Sequence, residues 1–271
     1  MNTQDSEVFL RITPLSRSVS FGFRELWRYR ELLFFFVWRD IKVRYKQTVI
    51  GALWAVFQPL AAMVVFTVFF GKFAKIPSDN IPYPVFVYVG LLLWNFFSFG
   101  LSHASDSMVS NAGIIQKIYF PRIIIPLSAA LTGIIDFFFA SLIFVGFMAY
   151  FKFMPSLSGV ALMPLLLCIT YLASVGAGCF LAALNVKYRD VRFVLPFFIQ
   201  LFLFLTPVIY PLSMLSKKFR ALINLNPMTG VIETARSALL GVKPVDYHLL
   251  LIAATMACVL FLCGIAYFKK A

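Results

Sequence analysis

The chain has 271 residues, of which 61% are hydrophobic, 17% aromatic and 13% charged. A soluble domain carries about 25% charged residues, so this chain has roughly half the charge needed to cover a water-facing surface; its mean hydropathy is +0.89. The formal net charge of +13 would suggest nucleic acid in a soluble protein, but the basic residues flank long apolar runs, as topology signals and contacts with anionic headgroups do, which argues against a nucleic-acid partner.

Residues 1–20 lack the charged, apolar and cleavage regions of a secretory signal peptide and are expected to form a cytoplasmic tail. Residues 21–46, FGFRELWRYRELLFFFVWRDIKVRYK, are too polar to span. On a helical wheel Arg24, Arg28, Glu31, Arg39, Lys42 and Lys46 fall within an arc of about 80°, and Leu26, Tyr29, Leu33, Phe36 and Val37 face the other way. Such a basic amphipathic helix lies in the membrane interface. Arg30, Asp40 and Arg44 interrupt its apolar face, so the helix either bends near Asp40 or buries those charges against a partner. A plain surface anchor is the alternative to a functional role.

About 20 apolar residues cross a bilayer as a helix. Six runs meet that length: 51–73, 85–103, 123–151, 157–184, 193–210 and 247–268. The third and fourth are long, and Pro126 and Pro164 are placed to kink them. With the N-terminus inside, most Lys and Arg fall on the inner side, including Lys117, Arg122, Lys187, Arg189, Arg192, Lys269 and Lys270. That bias predicts both termini in the cytoplasm. Lys217, Lys218, Arg220, Arg236 and Lys243 run against it, in one outer segment.

That outer segment, 211–246, turns at Asn226-Pro227. Apolar positions follow at Val231, Ile232, Ala235, Ala238 and Leu239, and Gly241 and Pro244 stop the helix. About a dozen helical residues cannot cross the bilayer, but they can dip in where other helices shield the backbone. The segment reads as an outer re-entrant helical hairpin, with a peripheral interfacial helix as the alternative. The expected class is therefore an all-α integral membrane protein with six transmembrane helices, an amphipathic interfacial helix and a re-entrant hairpin.

Enzymatic signatures are missing. The chain has no G-x-x-x-x-G-K-[ST] to hold nucleotide, no G-x-S-x-G and no H-E-x-x-H. Its two histidines, His103 and His248, stand beside no plausible nucleophile or metal partner. The four cysteines (Cys168, Cys179, Cys258 and Cys263) lie in apolar runs and read as small core residues. No metal site is expected, and transport or scaffolding is favoured over catalysis.

Asp136, between Thr132 and Ser141, stands near the centre of the third run. A carboxylate at that depth costs a few kcal/mol, so it is a functional candidate. It equally fits a structural role, protonated or bonded to a neighbouring helix such as the one carrying Gln58. Aromatics are in excess: Trp54 and Phe57 near the start of the first run, and Phe193, Phe197, Phe204 and Tyr210 roughly along one face of the fifth. They face either a pore, where rings stack on the apolar faces of sugars, or lipid and neighbouring helices.

Four stretches carry a resemblance: RDIKVRYKQTVIGALWAVFQPL (39–60), NAGIIQKIYFPRIIIPLS (111–128), LNVKYRDVRFVLPFFIQ (184–200), and TPVIYP (206–211) followed by NLNPMTGVIETARSALLG. In order and spacing they resemble the membrane subunit of ABC-2 type exporters, specifically those for lipid-linked polysaccharides such as O antigen, capsule and teichoic acid. The resemblance covers nearly the whole chain from about residue 20. It implies a homodimeric permease in the bacterial inner membrane, bound to two copies of a separate ABC nucleotide-binding subunit. ATP and Mg would sit on that partner and no cofactor on this chain. It implies that the loop 104–120, with Asp106, Asn111, Gln116 and Lys117, couples to the ATPase. The basic residues Arg24, Arg28, Arg39, Lys42 and Arg44 would meet the pyrophosphate of a lipid carrier, since planar guanidinium forks pair with phosphate oxygens. O antigen is the favoured cargo, with capsule, teichoic acid, or a smaller lipid or drug as alternatives. A membrane-embedded transferase using a polyprenyl substrate is the reading outside this class.

Overall fold

A computed structural model describes residues 27–46, 51–152, 156–241 and 243–271. Among the described residues the only regular structure is helical. α1 (Arg30–Lys46) leads to α2 (Gly51–Phe66), which continues as a π-helix over Thr67–Phe73. α3 (Tyr83–Ser110) and the short α4 (Ala112–Ile115) precede α5 (Ile124–Leu131) and α6 (Gly133–Tyr150), which together form one span. α7 (Leu157–Lys187) and α8 (Val191–Leu205) follow. α9 (Lys217–Ile223) and α10 (Pro227–Leu240) are too short to span, and α11 (Tyr247–Lys270) closes the chain.

Five helices are long and apolar enough to cross a membrane: Leu53–Phe73, Tyr83–Ser110, Ile124–Tyr150, Leu157–Lys187 and Tyr247–Lys270. The sixth expected span is α8, only 15 residues long. At 1.5 Å per residue it rises about 22 Å, less than the hydrocarbon core. It stops because Pro207 disfavours a helical conformation at Thr206, whose ψ is 141°. The chain then runs non-helically through Thr206, Pro207, Val208 and Ile209, all buried, where protein rather than lipid surrounds the backbone.

α7 is the centre of the bundle, packed on α3 and α11. Small residues let these backbones close up, because association in lipid rests on close packing rather than on hydrophobic burial. A Cβ on Gly264 of α11 would collide with the carbonyl oxygen of Gly176 on α7, and one on Gly178 would strike Ala104 of α3. The first span is packed quite differently. Only 11% of its apolar window is buried, against 72% for α3.

α10 is capped at both ends. Asn226 accepts from the Met228 N–H at 3.0 Å, and Gly241 ends the helix in the left-handed conformation at φ 65°. Twelve of its 14 residues are buried, and it packs on α3, α7 and α11. It therefore lies inside the helix bundle rather than at its periphery.

Candidate functional site

A cleft of about 240 Å³ opens between α2, α3 and α8. Its lining mixes apolar groups, among them Phe66 and Trp94, with the polar side chains of Gln58, Asn95, Ser98 and Gln200. Gln58 comes from the first span, Asn95 and Ser98 from α3, and Gln200 from α8, so three helices each bring an amide to one space. None of the residues lining it is charged. The cleft lies beside the poorly covered first span.

The six aromatic residues singled out in the sequence are not in that lining. Trp54, Phe57, Phe193, Phe197 and Phe204 are exposed on the outside of the single chain. Trp54 and Phe57 form a ring pair with centroids 5.6 Å apart. Tyr210 is half-buried and donates its hydroxyl to the Leu205 carbonyl at 3.0 Å, closing the end of α8.

α1 has three faces. Leu33 and Phe36, with Tyr29 just before the helix, pack on Phe120, Ile124 and Ile125. Phe34, Phe35 and Trp38 are exposed apolar groups. Arg28, just before the helix, and Glu31, Lys42 and Lys46 on it are exposed and polar. Of the five basic residues expected at a carrier phosphate, Arg24 lies outside the described residues, and Arg28 and Lys42 are exposed. Arg39 is engaged by the protein itself. It bridges to Asp40 at 2.7 Å, donates to Asn111 Oδ1 at 2.8 Å, and lies over the Phe36 ring.

Arg44 is engaged too, with Asp136 at 2.7 Å. Tyr45 donates its hydroxyl to the other oxygen of the same carboxylate. Arg44 also lies over Phe99, at 4.5 Å from the ring centroid, and Phe99 stacks on His103. Burial, and then the bond to Asp136, hold the Tyr45 phenol above its ordinary pKa, so it remains the donor. Of the charges that interrupt the apolar face of α1, Asp40 and Arg44 are thus half-buried and paired, with Arg39 and Asp136, whereas Arg30 is exposed and donates to the Trp27 carbonyl. Asp136 binds α1 rather than the helix of Gln58.

The four residues assigned to ATPase coupling are not alike. Asp106 accepts from Asn185 Nδ2 at 2.9 Å, which ties α3 to α7. Asn111 holds Arg39 and donates back to the Ser107 carbonyl. Gln116 and Lys117 are exposed. Next to them Ile118 and Tyr119 stand out at 61% and 81% exposure, a projecting apolar pair that the sequence reading missed.

Arg236 on α10 was also missed as a site. It is 3% exposed. Its guanidinium donates to the carbonyls of Phe86, Pro207 and Val208 at 3.1, 2.7 and 2.6 Å, and lies 3.6 Å from the Phe86 ring centroid. Gly90 makes room for it, since a Cβ there would come within 2.9 Å of the guanidinium. Glu233, one turn back, stands 3.7 Å away. At the same end Lys243 pairs with Asp79 at 2.6 Å, which also accepts from Ser213. Among the described residues no cluster of His, Cys, Asp or Glu could hold a metal ion.

Comparison with known proteins agrees with this architecture. Residues 31–240 match the ABC-2 type transporter family. The chain is similar to the O-antigen export system permease protein RfbA of Myxococcus xanthus, with 30% identity over 251 residues that cover 91% of this chain and 95% of the relative. Its similarity to RfbA of Klebsiella pneumoniae is 29% over 232 residues, covering 86% and 88%. With the polysialic acid transport protein KpsM of Escherichia coli it shares 25% over 206 residues, covering 74% and 78%.

Proposed function

The chain belongs to the ABC-2 type transporter family, and we propose that it is the permease of an ATP-driven exporter that moves a lipid-linked polysaccharide, O antigen foremost, across the bacterial inner membrane. Two copies would face each other across the first span and α8, forming one channel from two clefts. The observation that carries this reading is the pairing of an open cleft with a first span that is almost uncovered by its own chain. A helix with 11% of its apolar window buried is either wholly lipid-facing or awaits a second subunit, and a polar cleft beside it favours the second.

In this reading the α1 end is cytoplasmic and both termini lie there. The ATPase docks on the projecting stretch from Gln116 to Tyr119, whose exposed apolar side chains suit a groove on another protein. Asp106 and Asn111 transmit rather than dock. Asp106 passes motion to α7 through Asn185, and Asn111 passes it to α1 through Arg39. The carrier pyrophosphate is met by the exposed Arg28 and Lys42, with Arg24 as a further candidate. Arg39 and Arg44 reach it only by exchanging Asp40, Asn111 or Asp136 for phosphate oxygens. The chemistry of hydrolysis belongs to the partner, which would hold ATP and Mg.

The experiment is export into inverted membrane vesicles that carry this chain, its ATPase and a radiolabelled lipid-linked polymer. ATP should drive the polymer into a compartment protected from glycosidase. Protection without ATP, or none with it, would refute the proposal.

A further inference from the structure

Gln58, Asn95 and Gln200 make no side-chain hydrogen bond to any described residue. Gln58 and Asn95 sit within membrane spans and Gln200 on the shorter apolar helix α8, and all three line one cleft. Ser98 beside them is satisfied by its own helix, donating to the Asn95 carbonyl at 3.2 Å. An amide left in hydrocarbon without a partner is costly, because lipid offers neither donors nor acceptors. Scattered amides could be tolerated singly. Three from different helices turned toward the same space require that space to hold hydrogen-bonding matter, either water or a polar ligand.

The lining narrows the ligand. An amide both donates and accepts, as a sugar hydroxyl does, so amide and hydroxyl satisfy each other in either direction. Phe66, half-buried, borders the same cleft and offers apolar surface for the C–H faces of a sugar ring, and Trp94, 4% exposed, forms part of the wall. No cation is present to neutralise carboxylate or phosphate groups, and no anion to hold an amine. We infer that Gln58, Asn95 and Gln200 form the glycan-contacting strip of the cleft, and that the strand passing over it is a neutral, hydroxyl-rich polysaccharide rather than a polyanion. This rests on the export reading above and adds to it the charge class of the cargo and the side chains that touch it.

Cysteine accessibility tests it in cells whose outer membrane alone is permeabilised, so that polymer synthesis continues. With Cys168, Cys179, Cys258 and Cys263 replaced by Ala, single variants Gln58→Cys, Asn95→Cys and Gln200→Cys are treated with a charged, membrane-impermeant methanethiosulfonate in permeabilised cells. Leu142→Cys, on the exposed apolar surface of α6, is the lipid-facing control. Only variants that still place polymer on the cell surface are scored, and if Asn95→Cys fails to fold, the two exposed glutamine positions carry the test. Modification at the cleft positions should be about tenfold faster than at position 142, because charged reagents enter only wet protein-lined space. It should slow several-fold when the cell's polymer synthesis runs, relative to cells blocked at the first glycosyl transfer. Cleft rates as slow as the control would overturn the proposal, as would rates indifferent to synthesis. An equal slowing in a host that makes only an acidic polymer would overturn the assignment to neutral glycans. Surface polymer in cells lacking the chain would remove the export reading itself, and is scored in the same strains.

Discussion

A guanidinium carries five donors in one rigid plane, and that geometry lets Arg236 bind three carbonyls from two separate segments. Two of them, Pro207 and Val208, lie in the non-helical stretch after α8, where no helix supplies N–H partners. The third belongs to α3. Arg236→Leu removes every donor and leaves the Pro207 and Val208 carbonyls without a partner in the interior, each worth about 1–3 kcal/mol when orphaned, whereas the Phe86 carbonyl keeps its place in the α3 hydrogen-bond ladder. The variant should melt at a clearly lower temperature in detergent, and Arg236→Lys should fall between the two. Wild-type melting of the Leu variant would show that the anchor is unimportant. Little of this was legible in the sequence. A lone arginine between apolar residues in a segment that also holds Lys217, Lys218 and Lys243 reads as one more solvated charge, and burial is decided by contacts with residues 29 and 150 positions away. Gln58, Asn95 and Gln200 were visible as polar residues in apolar runs, but only the fold shows that three helices turn them to one cleft.

At the scale of elements, α1 is a strut between the connection that follows α3 and the third span. Phe36 packs where that span begins, and Arg44 and Tyr45 reach Asp136 a little over three turns further along it. The carboxylate therefore answers to α1, and a role in proton coupling is not needed to account for it. Asp136→Asn keeps the size and an acceptor for Tyr45 but removes the charge opposite Arg44. Part-exposed pairs of this kind contribute on the order of 1 kcal/mol. Export by the Asn variant should match wild type across pH, while amide exchange over residues 30–46 rises because the end of α1 frays. A pH-dependent loss of export would instead assign Asp136 to proton transfer. Turn chemistry made other elements readable from sequence. Asn226-Pro227 and Gly241 stand at the two ends of α10. The fifth span was read as running to Tyr210, and the helix ends at Leu205, because hydropathy counts Pro207, Val208 and Ile209 as span while Pro207 breaks the helix.

For the whole molecule, long apolar runs made the membrane class plain, because nothing but helices satisfies backbone groups over such lengths in lipid. Which spans are interior was not plain, since the first span and α7 are about equally apolar, with mean hydropathies of 2.0 and 2.1. The fold divides them: α7 is enclosed by small-residue contacts, and the first span is left to lipid or to a partner. That uncovered face is tested most directly by the native mass of the protein taken from its membrane into a nanodisc, alone and with its ATPase. Two copies of this chain in each particle, joined by two ATPase subunits when those are present, is the result expected. A single copy that still exports polymer when reconstituted with the ATPase would contradict the channel built from two clefts.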